Sequence, residues 1–71
     1  MHKDFIQSDW QEADGHKKLV IPKETEGKHI IQVFEKNADD IYSPIEPSIE
    51  DDGKEITLRG SIAFDGYVVY K

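Results

Sequence analysis

The sequence predicts an all-β domain of about six antiparallel strands, mainly a meander, forming a small sandwich or a partly open barrel. Three observations carry that expectation. Apolar residues recur at every second position in short runs, as in Leu19-Val-Ile21 and Ile56-Thr-Leu58. Asp-Gly dipeptides at 14–15, 52–53 and 65–66 punctuate the chain, and Asp-Gly supplies the positive φ values that tight hairpins need. Helical periodicity is nearly absent. Its one candidate, Ile41, Ile45 and Ile49, is interrupted by Pro44 and Pro47, and a proline inside a helix costs about 3 kcal/mol.

Residues 1–7 are expected as a tail or a short extra strand carrying Phe5, and residues 8–71 as the single β domain. Trp10–Ala13 and His16–Ile21 flank the turn at Asp14-Gly15. Leu19 and Ile21 share one face of the second strand, Val20 takes the other, and Pro22 ends the run. From Ile30 to Glu35 both faces are apolar, with Ile31 and Val33 opposite Ile30 and Phe34. Such a strand suits a central position. Asn37–Asp40 is the next turn.

The isoleucines at 41, 45 and 49 also fit a strand, because a spacing of four is twice the strand period. Two prolines then place that strand at a sheet edge or make it irregular. After Asp52-Gly53, Ile56 and Leu58 oppose Thr57 and Arg59, and Ile62 and Phe64 follow. Asp65-Gly66 reads as a bend or bulge. The final strand, Tyr67–Tyr70, is apolar on both faces. Trp10, Phe34 and Phe64 are expected in the core.

Composition narrows the function classes. Seventy-one residues make one domain, and a chain of this size buries only about 60% of its unfolded surface. There is no cysteine to add a disulfide, so a protein partner or self-association is an expected source of stability. The free edge or face of Tyr67–Tyr70 is where pairing with a second chain is expected. A net charge of −6 opposes self-association and disfavours nucleic acid. No apolar run reaches the roughly 20 residues of a membrane helix. Residues 1–10 lack the apolar core and cleavage site of a secretory signal.

No catalytic residue, cofactor or metal ligand is expected, and the chain is not expected to be an enzyme. His2, His16 and His29 lack zinc-type spacing, and the latter two read as exposed strand ends. Glu50-Asp-Asp-Gly53 has consecutive acids rather than the alternation of a calcium loop, so it reads as a hairpin. Ser8, Ser43, Ser48 and Ser61 lie in no nucleophile motif. What remains is aromatic: Tyr42, Tyr67 and Tyr70 are candidates for contact with a protein partner or a cell-surface glycan.

Six short blocks, in order, resemble a small β module of bacteriophage tail-fibre and other virion-associated proteins. They are Ser8-Asp-Trp10, Leu19-Val-Ile-Pro22, Ile31-Gln-Val-Phe-Glu35, Asp52-Gly53, Ile56-Thr-Leu58 and Ala63-Phe-Asp-Gly-Tyr-Val-Val69. The chain departs from that pattern at Glu26-Gly27, where such modules often carry His-Gly, and at Pro44 and Pro47. The resemblance implies a free-standing phage or prophage copy, a structural or binding module that works by surface display. Its location would be the host cytoplasm before assembly and the virion afterwards. The alternative is a small cytoplasmic phage-encoded protein that binds a host protein through its acidic surface.

Overall fold

Three hairpins supply most of the framework. The computed structural model describes all of residues 1–71. The strands are β1 (His2–Phe5), β2 (Gln11–Ala13), β3 (His16–Pro22), β4 (Ile31–Ala38), β5 (Ile41–Ile45), β6 (Ser48–Asp51), β7 (Glu55–Gly60) and β8 (Gly66–Tyr70). The β2–β3 hairpin turns through Asp14 and Gly15, at φ 45° and 85°. Positive φ at both central residues is the turn whose twist matches that of paired strands. The β4–β5 hairpin turns at Asp39-Asp40, with Asp40 at φ 60° and a register shift between Lys36 and Ala38. The β6–β7 hairpin turns around Gly53 at φ 96°.

Two four-stranded antiparallel sheets result, with orders β1-β8-β4-β5 and β2-β3-β7-β6, and neither closes into a barrel. Only the hairpin ladders join consecutive strands. The ladders β3–β7, β4–β8 and β1–β8 join distant ones, so closure of the sheets depends on long-range pairing. The N-terminal residues form an edge strand on β8 that carries Phe5 into the core. The run from Ile41 to Ile49 is two strands, not one. Pro44 lies on edge strand β5, and the chain crosses at Glu46-Pro47 to become edge strand β6 of the other sheet. Proline without an N–H is tolerated at such edges.

Alternation explains the core. Leu19, Ile21, Ile56, Leu58, Val33, Val68 and Tyr70 point between the sheets and are buried, joined by Phe5 and Trp10. Val20, on the other face of β3, is exposed. Trp10 and Phe64 pack with Phe5 at one end of the sandwich, at ring separations of 5.0–5.8 Å. The Trp10 indole N–H donates to the Phe64 carbonyl at 3.0 Å, satisfying its one polar group.

Three expectations are corrected. Phe34 is half-buried on the outer face of its sheet, because its neighbour Val33 takes the inner one. His16 and His29 are half-buried and hydrogen-bonded rather than free strand ends. Finally, β8 has no free edge, since β1 and β4 flank it on both sides.

Gly66 fits β8 for a steric reason. A Cβ there would stand 2.0 Å from the Phe34 carbonyl oxygen and 3.2 Å from the Phe5 ring. Gly66→Ala therefore has to separate β8 from β4 and should lower the unfolding midpoint by more than a surface substitution does. Leu58→Ala, at a position with no exposure, should cost about 2–5 kcal/mol in urea unfolding. Phe34→Ala, outside the core, should cost about 1 kcal/mol, mostly the lost ring pair. Equal losses for Leu58→Ala and Phe34→Ala would contradict this assignment of faces.

Candidate interaction surface

The outer face of the first sheet carries a cluster of rings. Each strand contributes one: His2 from β1, Tyr67 from β8, Phe34 from β4 and Tyr42 from β5. Strand register brings them together. Phe34 is directly opposite Tyr67, and the pair stacks at 4.8 Å with 16° between planes. Tyr42 meets Tyr67 edgewise at 4.9 Å, and His2 does so at 5.3 Å. Tyr67 is thus the centre, with three rings packed around it. Tyr42 and His2 are exposed at the margins, and Phe34 and Tyr67 are half-buried by their neighbours.

Polar groups frame the cluster. His2 Nε2 lies 3.1 Å from Asp4 Oδ1, and Asp4 is opposite Tyr67 in the ladder. Lys36 is opposite Tyr42, and Pro44 is opposite Phe34. Each pair contributes cross-strand contacts. Phe34 and Tyr67 each give one ring face to the other and are half-buried, so the rings most open to a partner are Tyr42 and His2. The surface available to a partner is ring edges, the Tyr42 ring and Pro44.

Of the tyrosines singled out by sequence, Tyr42 and Tyr67 belong to this surface. Tyr70 does not: it is wholly buried on the opposite face of β8, and its hydroxyl accepts the Glu24 backbone N–H at 3.2 Å. As a partner contact it is excluded by that burial. Sequence reasoning missed Phe34 and His2. Phe34 was hidden because a strand apolar on both faces does not reveal which face is core, and His2 because the β1–β8 pairing is nonlocal.

A second polar cluster closes one end of the sandwich. The Lys23 side chain is fully buried, and its Nζ donates to Asp51 Oδ1 at 2.6 Å, to His29 Nδ1 at 2.9 Å and to the Gly27 carbonyl. The ammonium has three hydrogens and here three acceptors. Since Lys23 can only donate, His29 Nδ1 accepts, and the ring proton sits on Nε2. Asp51 also receives the Gly53 N–H at 2.9 Å and the His29 N–H at 3.3 Å. The neighbouring acids are engaged as well. Asp52 accepts from the backbone of Lys54 and Glu55, and Glu50 from Arg59 Nε. The Glu50–Asp52 carboxylates thus organise the hairpin, and no group of three or more acidic, His or Cys side chains is placed to hold a metal ion.

The chain matches no family model, no curated protein and no solved structure.

The Lys23 hydrogen bond, followed by that of Gly53, lowers the Asp51 carboxyl from its ordinary 3.8 to about 2. A carboxylate whose folded value is depressed stabilises the fold fully above its unfolded value and loses that contribution as pH falls through its folded value. Thermal stability should therefore decline from pH about 4 to about 2. Asp51→Asn should flatten this limb and lower stability at neutral pH, because it strands a buried ammonium. Asp14→Asn, at an exposed turn, should do neither. Differential scanning calorimetry across this pH range measures both effects.

Proposed function

We propose that this chain is a binding module of phage or prophage origin, similar to a tail-fibre domain, that contacts a protein through the outer aromatic face of its first sheet. One observation carries the choice of surface: rings from the three other strands of the sheet converge on Tyr67 on the side away from the core. Aromatic side chains placed this way give large contact area at little entropic cost, the usual property of an interface anchor. A core-filling role is already taken by the separate Phe5, Trp10 and Phe64 cluster. The choice of protein over glycan rests on the Phe34–Tyr67 stack, which takes one face of each ring, and on the half-burial of both residues, which leaves Tyr42 as the one exposed tyrosine of the cluster. Virion origin rests on the ordered sequence blocks that resemble tail-fibre modules.

The test uses a photoreactive residue in place of Tyr42, with crosslinking in a lysate where phage particles assemble. Expected is a crosslink to a structural protein that is also found in purified particles. The Tyr67→Ala variant should abolish it while keeping native circular dichroism. A crosslink only to a host cytoplasmic protein, with the chain absent from particles, would replace the virion reading with the cytoplasmic alternative. Binding to cell-surface oligosaccharide that is lost in Tyr67→Ala would overturn the choice of a protein partner.

A further inference from the structure

A different apolar surface lies where β5 crosses to β6. β4 outruns β5: Val33 is paired with Ile45, whereas Ile31 and Gln32 pair only with β8. The gap beside them is a groove of about 560 Å³, walled by Ile31, Val33, Pro44, Ile45 and Ile49. Val33, which also lines it, belongs to the core and is 1% exposed, so the groove abuts the core without opening it to solvent. At the rim stands Ile30, 70% exposed. Its position is fixed by the backbone, which donates to the Lys71 carbonyl at 2.9 Å and accepts from the Lys71 N–H at 3.1 Å.

A protruding apolar side chain beside an apolar hole is what a two-fold interface needs, because the same patch must serve both partners. Charge supports the same geometry. Lys28 precedes Ile30 by two residues, and Lys71 is paired with it. Glu46 lines the groove. All three are exposed, and none has an ion-pair partner within the chain. Glu46 is the only charged residue among those lining the groove, although charged residues make up 34% of the chain. Charge depletion at the centre with polar groups at the rim is the pattern of an interface.

We propose that this groove binds a second copy of the chain, with Ile30 of each protomer seated in the groove of the other. The cations beside one Ile30 then face the Glu46 of the partner, twice over. This inference uses none of the rings around Tyr67 and shares only Pro44 with that surface, so loss of the Tyr67 ring tests the two separately.

Sedimentation velocity over a concentration series reaching roughly 1 mM tests it. Expected is a monomer–dimer equilibrium that Ile30→Asp weakens by about tenfold or more. Glu46→Lys should also weaken it, and Glu46→Lys combined with Lys28→Glu should recover part of the loss. Ile30 and Glu46 are exposed, so circular dichroism of each variant should stay native. Tyr67→Ala should leave the dimer intact. A strict monomer at the top of the series, a dimer indifferent to both Ile30→Asp and Glu46→Lys, or a dimer lost in Tyr67→Ala would each overturn the proposal.

Discussion

The buried Lys23 ammonium is the constraint around which one end of this domain is arranged. A charge taken out of water is costly unless paired and hydrogen-bonded. Every hydrogen on Nζ therefore needs an acceptor, and the chain supplies Asp51, His29 and the Gly27 carbonyl. Meeting that demand fixes the crossover from β3 in one sheet to β4 in the other. The Lys23 and Gly27 N–H groups donate to Lys54 and Gly53, which anchors the crossover on the β6–β7 turn. His29 then leans on the Tyr70 ring at 5.3 Å, and Tyr70 is core. One polar cluster thus ties both sheets together at the end of the hydrophobic core.

The opposite end is closed by rings. Phe5, Trp10 and Phe64 cap the space between the sheets, and only the Trp10 indole N–H requires a polar partner. Between these two closures β8 is the spine. Val68 and Tyr70 fill the core from one face, while Tyr67 on the other organises the outer rings. Gly66 lets its start approach the Phe34 carbonyl. Core packing and surface presentation are therefore coupled through one strand: whatever shifts β8 moves both the core and the proposed contact face.

The four sheet edges are managed by ordinary means. β1, β2, β5 and β6 span 3–5 residues each, and β5 carries Pro44. Short edges and proline discourage open-ended strand addition. This leaves side-chain surfaces, rather than free backbone, as the places where a partner can gain affinity. The rings around Tyr67 and the groove beside Ile30 are two such surfaces, which adjoin at Pro44.

The sequence by itself determined the all-β class, the turns and most inward-facing residues. These follow from local rules: period-two alternation at Leu19, Ile21, Ile56 and Leu58, and the turn chemistry of Asp14-Gly15 and Asp52-Gly53. The irregularity expected from Pro44 and Pro47 was legible too, though not that it marks a passage between sheets. Tertiary structure alone decided which face of Ile30–Glu35 is core, because both faces are apolar and only the opposing sheet chooses Val33 over Phe34. It likewise decided that Tyr67 gathers three rings while Tyr70 is buried, since that depends on pairing among strands far apart in the chain. The burial of Lys23 had no sequence signature: Lys23, His29 and Asp51 become neighbours only when the crossover lies against the β6–β7 turn.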